Sequence, residues 1–303
     1  MQIGSTRIVD TFAEAFDMTF ARVVVTAADE YWLQAAVNEF CGYGASVIGC
    51  DAEVAVDTFL NSSETVDGRI GAAILIFGLG SVSLGKALTT RVGQCLMTCP
   101  STAVYDGSEA GKKRIPLGKH IRFFGDTFQK SKQLDGKRYW RIPVMDGEFV
   151  VQDLVHVRDG IGGGNFIIQT RDQATGLAAA RRAGEVIRNS PNVISPFAGG
   201  VVRSGSKVGS RYKTLRASTA DAYCPTLRGR VESKLEEGVN CSYEIVIDGV
   251  DFESIANAMR CGIRAAAGEG VIAISAGNYG GKLGKHHFHL RELKPDAPQQ
   301  QTS

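Results

Sequence analysis

Residues 165–200, NFIIQTRDQATGLAAARRAGEVIRNSPNVISPFAGG, align without a gap with residues 243–278, YEIVIDGVDFESIANAMRCGIRAAAGEGVIAISAGN. Identical residues fall at equivalent places, for example Arg182 on Arg260 and Gly184 on Gly262. In each copy a β-branched run precedes an alanine-rich segment with helical spacing, and a second β-branched run follows. The repeat predicts a strand-helix-strand unit that occurs twice in the second half of the chain.

The first half of the chain shows the same order of elements in a weaker form. Residues 21–50 read as strand, helix and strand, and residues 71–100 read as strand, helix and a short apolar run. Turn signals at residues 134–136 and 146–147 lie between β-rich runs and predict a hairpin meander. A doubly wound parallel sheet would not contain such hairpins, so the pattern favours an α+β fold.

Four strand-helix-strand units in 303 residues predict two lobes of ferredoxin-like split β-α-β units with internal repeats. In each lobe we expect helices on one face of a mainly antiparallel sheet. We place an N-terminal α+β lobe at residues 1–150 and a C-terminal α+β lobe at residues 151–293. Residues 294–303 lack apolar anchors and are expected to form a disordered tail.

The composition excludes several classes of protein. A net charge of +2 with 22% charged residues gives no strong field for nucleic acid or for an anionic membrane. No apolar run reaches the length of a spanning helix, and the first residues do not resemble a signal peptide. Seven cysteines without a CxxC pair predict neither a disulfide framework nor a metal site. We expect a cytoplasmic protein with no metal, no nucleic-acid partner and no membrane partner.

Two glycine-rich stretches invite a phosphate-binding interpretation. FGLGSVSLGKAL, residues 77–88, fits G-x-x-x-x-G-K, but Ala87 stands where a P-loop needs a serine or threonine. FAGGVVRSGSKVGSRYK, residues 197–213, contains a glycine-bracketed lysine, Lys207, that recurs as Lys282 in the second copy of the repeat. A pocket wall with hydroxyl donors and a turn that merely closes each unit explain this recurrence about equally well.

Eight separate blocks of the sequence, in the same order, resemble formylmethanofuran:tetrahydromethanopterin formyltransferases, and together they extend from near residue 10 to about residue 293. They are DTFAEAF (10–16), RVGQCLMT (91–98), FFGD (123–126), GGNF (163–166), SGSKVGS (204–210), ASTADAYCPT (217–226), YEIVI (243–247) and SAGNYGGKLGKHHFHL (275–290). The resemblance implies a cytoplasmic enzyme of two α+β lobes, with no bound cofactor, that forms homotetramers. It also implies transfer of a formyl group between methanofuran and N5 of tetrahydromethanopterin, both of which act as substrates.

Glu244 is the predicted proton carrier of that reaction. It lies one residue into an otherwise apolar strand, where desolvation would raise its pKa toward neutrality. From the residues alone, a glutamate at a strand edge that faces solvent is the better explanation. The resemblance reverses this balance, because the glutamate of the family's YEIVI block lies in the active-site cleft.

The remaining candidates are residues that would bind substrate. Asn165 and the hydroxyls of Ser204 and Ser206 are expected to donate to the substrate carbonyl, and Lys207 is expected to stabilise an oxyanion or hold a carboxylate. The resemblance adds three more residues from its GGNF and SAGNYGGKLGKHHFHL blocks. They are Phe166, Asn278 and Lys282.

Two further features of the sequence, segment 112–141 and Cys224, each allow two interpretations. The cation-rich segment 112–141 could attract a carrier with several carboxylates, but an ordinary solvated face explains it better. Cys224 invites a nucleophile interpretation, yet no histidine is near it in sequence, so packing in the pocket is favoured.

The near-neutral charge departs from strongly acidic archaeal relatives and favours the bacterial methylotroph type. There the resembling protein is a subunit of a formyltransferase/hydrolase complex, so hydrolase subunits are expected partners. The alternative function is a non-catalytic, carrier-binding subunit of such a complex.

Overall fold

The computed structural model describes residues 1–108, 110, 111 and 113–293, so the predicted tail at 294–303 lies outside the described residues. The α-helices of the described chain are α1 (Glu30–Cys41), α2 (Ser81–Arg91), α3 (Leu117–Ile121), α4 (Gln173–Arg188) and α5 (Phe252–Ala266). The strands are β1 (Gln2–Ile3), β2 (Thr6–Ile8), β3 (Phe12–Thr26), β4 (Glu53–Leu60), β5 (Gly71–Gly78), β6 (Ala103–Asp106), β7 (Lys113–Ile115), β8 (Lys130–Leu134), β9 (Lys137–Val144), β10 (Gly147–Gln152), β11 (Val155–Thr170), β12 (Val193–Ile194), β13 (Val201–Val202), β14 (Lys207–Val208), β15 (Ala217–Ser218), β16 (Cys241–Gly249), β17 (Val271–Ser275) and β18 (His286–His289).

The chain divides into two compact units. The first comprises Met1–Asp17 and the described residues from Ile161 onward, and the second comprises Met18–Gly160. Both divisions fall inside long strands, β3 and β11. The predicted lobes, 1–150 and 151–293, stay a prediction. None of the helices in the described part of the chain has the length and hydropathy needed to cross a bilayer.

In the first unit the repeated segments form the predicted strand-helix-strand order. The strands that flank α4 and α5 lie in the order β17, β11, β16 and β12, and each neighbouring pair is antiparallel. Both helices begin with an aspartate cap, since Asp172 accepts from Thr175 N–H and Asp251 from Ser254 N–H. The helices and one face of these strands share a buried apolar cluster. A mixed α+β fold is thereby confirmed, and the ferredoxin-like split units stay a prediction.

The second unit contains a similar set of elements. Its strands lie in the order β6, β3, β5 and β4, and each neighbouring pair is again antiparallel. The strand expected at the end of residues 21–50 begins later, at Glu53. The predicted meander is confirmed, because β8, β9 and β10 pair as consecutive hairpins. Asp135 and Gly136 both have positive φ, 50° and 73°, as a tight hairpin turn requires.

The repeated glycines explain how α4 and α5 come close to their neighbours. A Cβ added at Gly184 would lie 2.9 Å from the carbonyl oxygen of Gly199. A Cβ added at Gly262 would lie 2.8 Å from Ile187 Cδ1 and 3.0 Å from Phe166 Cζ. Glycine therefore recurs at this position because no side chain fits there.

We predict that Gly262→Ala destabilises the fold by about 1–3 kcal/mol, because the added methyl group overpacks a closed core. Gly93→Ala is the matched control, since a Cβ at Gly93 meets nothing within 4 Å. It should leave stability unchanged or slightly raised. Urea denaturation of both variants measures the difference, and equal unfolding midpoints would contradict this explanation of the repeated glycine.

Candidate active site

Glu244 lies on the face of β16 that points away from α4 and α5. Its neighbours Tyr243 and Ile245 belong to the apolar cluster beneath those helices. Because successive side chains of a strand point to opposite faces, Glu244 emerges on the other side. There it is in register with Ile167 of β11 and Val202 of β13.

The carboxyl group of Glu244 is desolvated yet reachable. Burial raises the pKa of Glu244 from its ordinary value of 4.5 to about 7. No hydrogen bond within the described part of the chain stabilises its charged form. Glu244 lines a cavity of about 30 Å³, which has room for one water molecule. A group of this kind can both hold and release a proton near neutral pH.

The cavity beside Glu244 brings together predicted and unpredicted residues. Ser204 and Cys224 are predicted residues that line it. Three polar lining residues were not predicted, namely Arg203, Tyr223 and Ser242. Tyr223 lies inside the ASTADAYCPT block, and Arg203 directly precedes SGSKVGS, so both were within reach of the sequence argument. What the sequence does not show is that these loops meet β16.

Tyr223 is held in place by both its backbone and its hydroxyl group. The Ser242 hydroxyl donates to the carbonyl oxygen of Tyr223 at 2.8 Å, and the Tyr223 hydroxyl donates to the carbonyl oxygen of Ala276 at 3.2 Å. Burial, aided by the negative charge of Glu244, raises the pKa of Tyr223. The hydroxyl therefore stays neutral at physiological pH, and its hydrogen is held by the carbonyl oxygen of Ala276.

Asn165 is next to Glu244, but its amide group is already engaged. Its side-chain nitrogen donates to the carbonyl oxygens of Gly163 and Gly277, at 3.2 and 3.0 Å. Its oxygen accepts from the N–H of Gly277 at 2.6 Å. Both amide hydrogens are used, so the expected donation to a substrate carbonyl is not available in this arrangement. Asn165 instead fastens β11 to the turn that follows β17.

Glu14 was not predicted, and it organises the second glycine-lysine turn. Its carboxylate accepts four backbone N–H groups, from Tyr279, Gly281, Leu283 and Gly284, at 2.6 to 2.9 Å. Burial raises the pKa of Glu14, but these four donors outweigh burial and hold the pKa below 4.5. An anion enclosed by backbone donors fixes the path of residues 279–284.

The turn held by Glu14 carries Tyr279 toward Glu244. Burial and the charge of Glu244 raise the pKa of Tyr279, while a hydrogen bond with Ser206 opposes that rise. The Tyr279 ring lies against Phe16, with centroids 6.1 Å apart. The predicted residue Ser206 is therefore linked to the site through a tyrosine that was not predicted.

Two predicted cations have different surroundings. The ammonium group of Lys207 forms an ion pair with Asp221 and holds the pKa of Asp221 below its ordinary value. Lys207 is therefore occupied within its own loop, where β14 pairs with β15. Lys282 is exposed and belongs to the turn that Glu14 holds. Arg203 is a lining residue of the Glu244 cavity, but its charge acts on Tyr243, on the opposite face of β16, and not on Glu244.

The last two predicted residues, Phe166 and Asn278, make contacts within the fold and do not line the Glu244 cavity. Phe166 is fully buried in the core beneath α4 and α5, on the face of β11 opposite to Glu244, so the structure does not bring it to the cavity. The side-chain nitrogen of Asn278 donates to Thr11 Oγ1 and to the carbonyl oxygen of Phe12, at 3.1 and 3.0 Å. Asn278 thus anchors the start of the turn to β3.

A carboxyl group that titrates near neutrality beside neutral hydroxyl donors is an arrangement for acid-base catalysis of group transfer. Two family models match the chain. They are formylmethanofuran-tetrahydromethanopterin formyltransferase, over residues 1–144, and the proximal lobe of the same family, over residues 147–293. The chain belongs to the formylmethanofuran-tetrahydromethanopterin formyltransferase family.

Curated relatives and solved structures agree with this family. A formylmethanofuran-tetrahydromethanopterin formyltransferase of Methylococcus capsulatus is 52% identical, over 97% of this chain and 99% of the relative. A protein of Methylorubrum extorquens that is named as part of a formyltransferase/hydrolase complex is 48% identical, over 97% of this chain and 98% of the relative. The solved formyltransferase of Methanosarcina barkeri is similar at 42% identity, with a TM-score of 0.91 over 97% of this chain and 100% of that one.

We predict that Glu14→Gln loosens the turn at residues 279–284, because a carboxamide offers one acceptor oxygen where the carboxylate offers two. The loss should amount to about 2–4 kcal/mol of local stability. Hydrogen exchange of the peptide that contains these residues measures it. Asp10→Asn is the control, since Asp10 is an exposed carboxylate paired with Arg291.

The wild-type contribution of Glu14 depends on pH in a defined direction. The pKa of Glu14 is lowered in the folded state, so its stabilisation is present above 4.5 and is lost as the pH falls through the lowered value. Exchange in Glu14→Gln should lack this acid-dependent change. Equal exchange in wild type and variant at pH 7 would contradict the role of Glu14.

Proposed function

We propose that this protein catalyses formyl transfer between N-formylmethanofuran and N5 of tetrahydromethanopterin, with Glu244 as the proton carrier. The observation that carries the proposal is the desolvated carboxyl of Glu244, with its pKa near 7, in a chain of this family. The names of relatives at 50 and 52% identity supply the two substrates. The reaction belongs to one-carbon metabolism.

The chemistry requires one proton to move between two nitrogen atoms. N5 of the pterin attacks the formamide carbon and forms a tetrahedral intermediate that carries an oxyanion. Glu244 takes the proton from N5 and delivers it to the departing amine of methanofuran as the carbon-nitrogen bond breaks. A carboxyl group with a pKa near 7 suits both steps, because it is a usable base and a usable acid at the same pH.

The same cavity offers groups for the oxyanion. Ser204 lines it beside Glu244, and its hydroxyl has no hydrogen-bond acceptor among the described residues, whereas the Tyr223 hydroxyl already donates to Ala276. A fixed donor favours a developing negative charge most where water is scarce. We therefore assign to the Ser204 hydroxyl the charge-stabilising role first expected of Lys207, and we assign to Asn165 a positioning role.

We further propose that the protein works as a homotetramer within the cytoplasm, that it binds no cofactor besides its two substrates, and that hydrolase subunits are its partners. The Methylorubrum extorquens relative is named as a member of such a complex, and a solved formyltransferase/hydrolase complex with methylofuran from that organism contains a chain 46% identical to this one, with a TM-score of 0.93. The alternative of a non-catalytic carrier-binding subunit is not favoured, because it would not need a titrating carboxyl at the pocket.

We predict that Glu244→Gln lowers turnover by about 10²- to 10⁴-fold, because the amide cannot carry the proton. Wild-type turnover should change with an inflection near pH 7, and the variant should lack it. Steady-state assays with purified protein and both substrates measure this. Glu237→Gln removes an exposed carboxylate outside the cavity and is the control.

Stability measurements on Glu244→Gln test whether the variant is folded, and their pH dependence tests the same carboxyl group independently of turnover. The folded-state pKa of Glu244 is raised, so the protonated form stabilises the protein below 4.5, and this stabilisation is lost as the pH rises to about 7. The change amounts to at most about 3 kcal/mol and should be missing from the variant. Near-normal turnover in a folded variant would overturn the role of Glu244.

We predict that a tagged copy of this chain, expressed in its own cell, co-purifies with hydrolase subunits in fixed stoichiometry. A homotetramer recovered without other subunits would contradict the complex while leaving the transfer reaction intact. Size-exclusion chromatography with light scattering and peptide mass spectrometry distinguishes these results.

A further inference from the structure

A second cavity lies wholly within the second unit and is much larger than the one at Glu244. Its volume is about 550 Å³, which falls in the range of small-molecule sites. Its walls come from β8, β9 and the turn between them, from α3 and the residue that follows it, from β7, and from the segment where β10 leads into β11. The residues that line it are Arg114, Lys119, Arg122, Gln133, Gly136, Lys137, Arg138, Trp140, Gln152, Asp153, Leu154 and His156.

The charge on the wall of this cavity is strongly positive. Among the described residues that line it, five are lysines or arginines and one is a carboxylate. That carboxylate, Asp153, accepts a hydrogen bond from Trp140 Nε1 at 2.7 Å. Lys119, Lys137 and Arg138 have no ion pair within the described part of the chain. Cations gathered around one concave space repel each other, and an anion in that space would relieve the repulsion.

Two arginines of the wall are held in place by neighbouring side chains. The guanidinium of Arg122 lies over the ring of Trp140, 4.6 Å from its centroid. Its Nε is buried and has no hydrogen-bond partner within the described residues. A buried donor without a partner is costly unless a ligand or water satisfies it.

Arg114 is held by a short chain of hydrogen bonds. Its Nε donates to Nε2 of His156 at 3.1 Å. His156 must then carry its proton on Nδ1, which donates to Asp106. The relay leaves the two terminal nitrogens of Arg114 available to the cavity. Guanidinium groups fixed in this way match the oxygen pairs of carboxylates and phosphates.

We propose that this cavity binds a small ligand that carries several carboxylates or phosphates. The ligand's oxygens contact Arg114, Arg122 and Arg138, and the lysines at the rim neutralise its remaining charge. The site is independent of Glu244 and goes beyond the transfer reaction. It also gives segment 112–141 a function that a solvated surface would not require.

Titration of the intact protein with two probes tests this site. Tetraglutamate represents carboxylates and inorganic triphosphate represents phosphates. We expect at least one probe to bind with a dissociation constant below about 1 mM in low salt. Binding should perturb the fluorescence of Trp140, measured in a Trp32→Phe background, since these are the two tryptophans of the chain. The tighter probe identifies the natural class of oxyanion.

Two double variants with equal loss of charge separate a built site from diffuse attraction. Lys137→Gln with Arg138→Gln removes two exposed cations of the wall and should weaken binding by about tenfold or more. Lys130→Gln with Lys132→Gln removes two exposed cations of the same hairpin that do not line the cavity, and should weaken binding by less than about threefold. Equal weakening in both variants, or no binding of either probe to the wild type, would overturn the proposal.

Discussion

The register of β16 against β11 is the constraint on which the candidate site depends. One face of β16 is covered by α4 and α5, so alternate side chains must be apolar, and Tyr243, Ile245 and Ile247 fill that face. Glu244 falls between them and must emerge on the other face. A slip of one residue would place the carboxyl in the core and the apolar side chains in the cavity. The same packing that builds the core therefore orients the group that carries the proton.

The second requirement is a fixed wall opposite β16. Two short polar networks provide it, and each uses backbone groups. Backbone N–H groups of the turn at residues 279–284 enclose the carboxylate of Glu14, and the amide of Asn165 forms hydrogen bonds with both the N–H and the carbonyl oxygen of Gly277. A Cβ at Gly277 would lie 3.6 Å from Glu244 Oε1, so the wall comes close to the carboxyl without hydrogen bonding to it. Desolvation without a compensating donor is what raises the pKa of Glu244.

Much of the fold could be read from the sequence, and the site could be read only in part. The repeat at 165–200 and 243–278 predicted the strands and helices of the first unit, because hydrophobic period is a local property. Unit boundaries inside β3 and β11 leave no local signal. Residues alone favoured a solvent-facing Glu244, since one strand cannot show what covers it, and only the family resemblance reversed that interpretation.

The roles of the other site residues depend on the neighbouring groups that they contact. Lys207 has the expected type for an oxyanion site, but Asp221 neutralises it. Glu14 stood in the DTFAEAF block as a lone glutamate, and its four donors lie some 265 residues further along the chain. Sequence shows residue types, whereas a role depends on which groups are already satisfied.

The most direct test is a titration of the Glu244 carboxyl itself, because the account rests on its desolvation. Infrared difference spectra of wild type minus Glu244→Gln, recorded from pH 4 to pH 9, isolate its protonated carbonyl band. The account predicts that this band disappears with a midpoint near pH 7. A midpoint near the ordinary value of 4.5 would show a solvated carboxylate and would contradict the central claim.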